Sequence, residues 1–131
     1  MGDIEELLKA LVGAKKGDRD IDAQIALHID GWKSKTIGGR TAWRKNANGR
    51  YDFNLSPIAY TASADAVLAL LLRRLPDWNW RLEGGGEEPF LAVISKATDL
   101  YTHTHKTSPA LTLLGAMLAV LIAEETEAVA A

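Results

Sequence analysis

From Ala110 to Ala123 the chain is apolar apart from Thr112 and Gly115, and this run constrains the possible folds more than any other feature. Pro109 suits the first position of a helix, so a helix is predicted from about Ser108. In it Thr112, Ala116, Ala119 and Ala123 make a stripe of small residues, and Leu114, Met117, Leu118 and Leu121 a bulky stripe beside it. Leu113 and Val120 fill another side. A helix apolar nearly all round has to be covered on more than one side. The run is several residues short of the ~20 needed to span a bilayer, so a buried helix is expected. Its apolar surface exceeds what one sheet face covers, which predicts a homo-oligomer with this helix or the first one at the contact.

Upstream, Asp3 is placed to cap a short helix through Val12, with Leu7, Leu8, Leu11 and Val12 on one side. A second helix, about Arg19 to His28, carries Ile21, Ile25 and Ile29 at every fourth position, and Gly31 stops it. Next, Thr41 and Trp43, then Tyr51, Phe53 and Leu55, alternate with polar residues as half-buried strands do. Between them Asn46-Ala47-Asn48-Gly49 offers a tight turn, so a β-hairpin is predicted there. A helix from about Ala62 to Arg74 follows, with Thr61 or Ser63 as cap and Asp65 in its first turn. Trp78, Trp80 and Leu82 read as a third strand, Gly84-Gly85-Gly86 as a turn, and Phe90 to Ile94 as a central fourth strand. Asp99 to Lys106 fits an edge strand or a loop.

These elements predict an α+β fold: a two-layer sandwich with an antiparallel sheet of about four strands. The helices Ala62–Arg74 and Pro109–Ala123 would share one face, and the two N-terminal helices would pack at an edge or reach a second subunit. At 131 residues one domain over 1–131 is expected, with 1–17 a helical extension and 32–55 a basic β-hairpin insertion. The absence of cysteine excludes disulfides, thiol nucleophiles and thiolate metal sites. With an N-terminus that lacks the pattern of a signal peptide, it leads to an expected cytoplasmic location and no membrane partner. A net charge of −2 gives no overall field to draw in nucleic acid, so any anionic partner has to meet a local patch.

Such a patch is visible from Gly31 to Tyr51. It holds Lys33, Lys35, Arg40, Arg44, Lys45 and Arg50 without an acid, together with Trp32, Trp43, Tyr51 and the pair Gly38-Gly39. Cations interleaved with rings suit an anionic ligand that carries a base, since charges meet phosphates and rings stack. The plainer alternative is a solvated hairpin face with Trp43 in the core. His103-Thr104-His105 puts two imidazoles on one side of a strand, yet no third ligand adjoins it, Asp99 being the nearest candidate, so surface histidines are expected and no metal. No phosphate-binding loop, nucleophile elbow or zinc-protease helix is present. No enzyme, catalytic residue or cofactor is therefore predicted.

Ile21–Ala26 running into Ile29-Asp30-Gly31-Trp32, then Pro57-Ile58-Ala59-Tyr60-Thr61-Ala62-Ser63-Ala64-Asp65-Ala66, then Trp78-Asn79-Trp80-Arg81, and finally Thr107-Ser108-Pro109-Ala110-Leu111-Thr112-Leu113 resemble segments of phage ABA sandwich domain proteins, in the same order. The resemblance covers roughly Asp20 to Glu125. The first helix and the longer Gly31–Tyr51 stretch depart from it. It implies a two-layer α/β sandwich and a phage or prophage origin, supplies no reaction, and by analogy suggests a counter-defence or accessory role.

The expected function is a non-catalytic phage accessory protein that sequesters a small phosphate-bearing, nucleotide-type ligand. Its candidate contacts are Trp32, Arg40, Trp43, Arg44, Lys45 and Arg50, joined by Tyr60 and Asp65 of the resembling segment. The alternative is a protein–protein interaction module anchored by Trp32, Trp78 or Trp80. A nucleic-acid binder using the same basic hairpin comes third.

Overall fold

A computed structural model of the chain describes residues 2–130. Its elements in order are α1 (Asp3–Gly13), α2 (Arg19–His28), β1 (Lys33–Ile37), β2 (Arg40–Arg44), a 3-10 turn (Tyr60–Ala62), α3 (Ala64–Arg74), β3 (Asn79–Gly85), β4 (Glu88–Lys96), β5 (Asp99–His105) and α4 (Pro109–Ala130). The fold is α+β. Its strands form a two-stranded ribbon, β1-β2, and a separate antiparallel sheet in the order β3-β4-β5, where a single sheet of about four strands was expected. The stretch Asp99–His105 is a full strand, paired with β4 from Lys96↔Asp99 to Phe90↔His105.

The apolar run of α4 is satisfied inside its own chain. Ser108 starts the helix by accepting the Leu111 amide on Oγ at 3.0 Å, a side-chain cap of the usual kind. Every residue from Ala110 to Leu118 is buried. The helix rests on β4 and β5 on one side and meets α1, α3 and the 3-10 turn on others. It continues to Ala130, beyond the expected end near Ala123, and over Pro109–Glu127 is long and apolar enough to cross a membrane. The sequence-based case for a homo-oligomer rested on surplus apolar surface on this helix. That surplus is covered by the chain itself, so the argument falls away.

The layering also differs from the expected pair of helices on one sheet face. Among the described elements α4 is the one that packs substantially against the sheet, toward which Leu82, Ala92, Ile94, Tyr101 and His103 share a side by their register. Helices α1 and α3 pack on α4 instead. Helix α1 is thus part of the core, burying Ile4, Leu7 and Leu11, while Val12, expected on its apolar side, is 65% exposed. Asp3 is the first residue of α1 rather than its cap. At Gly115 α4 comes close to the sheet: a β-carbon there would stand 2.5 Å from Cγ and Nε2 of His103.

Two polar latches tie α2 and the segment after it to the 3-10 turn. Asp18 caps α2 by accepting the amides of Asp20 and Ile21 at 2.8 and 3.1 Å. Asp22, 1% exposed, accepts the amide and hydroxyl of Thr61, both at 2.8 Å, and Nη1 of Arg19 at 2.9 Å. Next to it, the Tyr60 hydroxyl donates to Asp30 Oδ2, and Arg73 Nη2 donates to both oxygens of Asp30 at 3.0 Å. These bonds satisfy groups that would be costly to bury unpaired.

Candidate ligand-binding face

The ribbon turns where the backbone allows it. Gly38 and Gly39 take positive φ angles of 59° and 78°, as a type I′ two-residue hairpin turn requires of both central residues. The expected hairpin at Asn46–Gly49 is therefore replaced by one at Gly38-Gly39. A turn does form at Asn46, where the Gly49 amide reaches the Asn46 carbonyl at 3.1 Å. The arm returning from it pairs with β2 only at Trp43↔Asp52. Asp52 then curls the chain away, its Oδ1 accepting the Asn54 amide at 2.8 Å.

Directly opposed residues in an antiparallel pair share a face. The register Lys33↔Arg44, Lys35↔Ala42 and Ile37↔Arg40 therefore puts Lys33, Lys35, Arg40 and Arg44 on one side, here called the front. Ser34, Thr36, Thr41 and Trp43 take the back. Because Asp52 opposes Trp43, Tyr51 and Phe53 fall on the front beside the cations. Lys35 Nζ lies 4.4 Å and the Arg44 guanidinium 4.8 Å from the centre of the Tyr51 ring, and the Arg40 guanidinium 4.6 Å from that of Phe53. Ala42 is small enough to be covered at the middle of this arrangement, 1% exposed. Lys45, one residue past the ribbon, has its Nζ 5.6 Å from the centre of the Trp32 ring.

Among the described residues no front cation is paired with a carboxylate. Among the described residues the salt bridges join Arg19 to Asp22, His28 to Asp3, Arg73 to Asp30 and Arg81 to Glu83. Lys33, Lys35, Arg40, Arg44, Lys45 and Arg50 take part in none of them. Arg44 Nε is buried without a hydrogen-bond partner. None of four concavities of about 360–670 Å³ on the described residues is lined by a residue of Gly31–Tyr51. The one of about 670 Å³ runs between Val12, Ala14, Pro89 and His105. There His105 is fully engaged, Nε2 on the Ala14 carbonyl at 3.1 Å and Nδ1 facing the amides of Thr107 and Ser108 at 3.2 and 3.0 Å.

The candidate residues thus separate into two groups. Arg40 and Arg44 share the front, at opposite ends of the ribbon, with Lys45 at its margin, while Arg50 is exposed in the segment that leads to Tyr51. Trp32 and Trp43, expected as stacking platforms, are 3% and 9% exposed and meet edge to face with ring centres 6.3 Å apart. They fasten the back of the ribbon to the core, so a ligand cannot stack on them as they stand. Tyr60 is fully buried, and its phenol is held well above its usual pKa by burial and then by the Asp30 carboxylate that it serves. It is a latch rather than a ligand contact. Asp65 is exposed in the first turn of α3, apart from the ribbon, while Ser63 caps that helix through the Ala66 amide.

The rings that do face solvent among the cations are Tyr51 and Phe53, the latter 41% exposed. Their spacing of two, flanking Asp52, was the available signal that they share a side. His103 points between β5 and α4, where burial and then the neighbouring His105 lower its pKa from 6.5. Among the described residues no cluster of three metal-ligating side chains occurs. No family model matches this chain, nor does any curated protein or solved structure.

Proposed function

We propose that the chain is a non-catalytic binding protein that takes a phosphate-bearing, nucleotide-type ligand on the front of the β1-β2 ribbon. The observation that carries this reading is the unneutralised set Lys33, Lys35, Arg40 and Arg44, ordered on one face with Tyr51 and Phe53 between them. Phosphates would meet the ammonium and guanidinium groups. A base would stack on the open side of Phe53 or on a guanidinium plane. If the resemblance to phage proteins reflects origin, such a protein would sequester its ligand in a host cell, as a counter-defence or accessory factor.

The test is thermal stabilisation by a panel of linear and cyclic nucleotides and short oligonucleotides. A ligand at 100 times its Kd adds ~2.7 kcal/mol of stability, which is several degrees of melting temperature. The paired substitution Lys33→Ser with Arg40→Ser changes exposed side chains only and should abolish the shift. A panel that leaves melting unchanged, or a doubly substituted protein that responds like the parent, would end this proposal.

A further inference from the structure

We infer that the ligand of the ribbon front is a single-stranded nucleic acid lying along the face, rather than one nucleotide held in a pocket. This rests on the preceding reading of the front as the binding surface and goes beyond it in naming the ligand's form. The first reason is shape. Pockets for small molecules bury most of their ligand, and the concavities described above include no front residue. A mononucleotide on this face would keep much of its surface in water. A strand would repeat the same modest contact at successive nucleotides.

The second reason is the order of the charges. Lys33 and Arg44 lie opposite each other at one end of the ribbon, Lys35 stands one step along, and Arg40 is opposite Ile37 at the far end. Successive same-face positions on a strand are ~6.6 Å apart at a rise of ~3.3 Å per residue. The positive groups therefore form a line along the ribbon rather than a cluster that converges on one phosphate. A linear polyanion matches a line.

The third reason is the rings. An acidic peptide would use the cations and make no use of the exposed side of Phe53. Exposed bases of a single strand stack on such side chains irrespective of sequence, and guanidinium planes extend the platform. In a duplex the bases are stacked on each other, so that side of Phe53 would again be idle. The ribbon is also well placed to reach an extended partner: among the named elements α2 is its only substantial neighbour, and Lys33, Lys35, Ile37 and Arg40 are all exposed.

Fluorescence anisotropy with labelled oligo(dT) and oligo(U) of about 12 nucleotides tests this. It is run beside a labelled mononucleotide, a duplex of equal length and a poly-glutamate peptide. The expected result is oligonucleotide affinity at least tenfold above that of the mononucleotide, the duplex and the peptide. Neutralising three or four phosphates gives a slope of log K against log salt of about −2 to −3, so affinity should fall about 20- to 50-fold between 50 and 200 mM salt. Phe53→Ala should weaken the oligonucleotide about fivefold or more with the slope unchanged. Arg40→Gln should flatten the slope by about 0.7. Circular dichroism checks that both variants are folded.

A mononucleotide that binds as tightly as the strand would overturn this inference and leave the nucleotide-binding reading intact. Failure of strand and mononucleotide alike would remove both. Equal affinity for duplex or poly-glutamate, or a Phe53→Ala protein that binds like the parent, would reduce the face to a charged surface and overturn the inference.

Discussion

Gly115→Ala should destabilise this protein, against the usual effect of that substitution. In a helix interior alanine is better than glycine by about 0.8–1.0 kcal/mol, and Gly115 is in the buried middle of α4. The neighbour across the interface decides the outcome. The new methyl carbon would stand 2.5 Å from Cγ and Nε2 of His103, about an ångström inside normal carbon contact. The ring has little freedom to withdraw, since β5 is hydrogen-bonded to β4 along its length and α4 is packed on all sides. Overpacking of this kind costs about 1–3 kcal/mol. With an overlap this deep the upper part of that range applies, leaving a net loss of about 2 kcal/mol after the helix gain. At about 4 °C per kcal/mol for a chain of this size, the melting temperature should fall by roughly 8 °C. His103→Ala lowers stability by itself, but in its background Gly115→Ala should stabilise by up to about 1 kcal/mol, because the clash is gone and the propensity gain remains. Urea unfolding of all four proteins gives the coupling energy, expected near 3 kcal/mol in magnitude. A Gly115→Ala protein more stable than the parent, or effects that add within about 0.5 kcal/mol, would refute the close packing of α4 on His103.

The stability of the Asp22 latch and the titration of His103 give two more expectations. Asp22→Ala deprives the Thr61 amide of its acceptor, while the Thr61 hydroxyl keeps the Asp18 carbonyl at 3.1 Å and the exposed Arg19 rehydrates, so a loss of about 2 kcal/mol is expected in urea unfolding; a loss under about 1 kcal/mol would mean that water replaces the carboxylate. His103 is held below its usual 6.5 by burial and then by His105. The unfolded chain therefore takes up the proton first as pH falls. The contribution of His103 is complete above pH 6.5 and is lost as pH drops from there through the folded-state value. Urea midpoints at pH 7.5 and 5.5 should differ more in the parent than in His103→Gln, and equal differences would count against this account.

Helix periodicity was readable wherever one local signal acted alone. Helix α2 begins and ends as its spacing and Gly31 predict, and Ser63 caps α3 as one of the two expected candidates. Strands β3 and β4 followed from alternation and the glycine turn. What could not be read were choices between competing local signals. Gly38-Gly39 and Asn48-Gly49 are both pairs that tolerate two positive φ angles, and only the former takes them, since neither Asn48 nor Gly49 has a positive φ. The layering was hidden for another reason. An all-round apolar helix states that it must be covered but not by what, and here α1 supplied Ile4, Leu7 and Leu11 where a second subunit was expected.

The candidate site was legible as a segment and illegible as a face, and the parity of one pairing explains the difference. Charge and aromatic content pointed to Gly31–Tyr51, but composition does not say which rings are turned inward. Trp43 goes to the back because Trp32, anchored by its amide on the Ala26 carbonyl at 2.8 Å, offers an apolar partner there. That choice sends Lys35, Arg40 and Arg44 to the front through period-two alternation. The bridge Trp43↔Asp52 then places Tyr51 and Phe53 with them. Shifted by one residue, the same bridge would put Asp52 on the front amid the cations and send both rings to the back, leaving a neutralised surface without stacking groups. The large indoles thus serve binding indirectly: by filling the back of the ribbon they fix which side the smaller rings and the charges share.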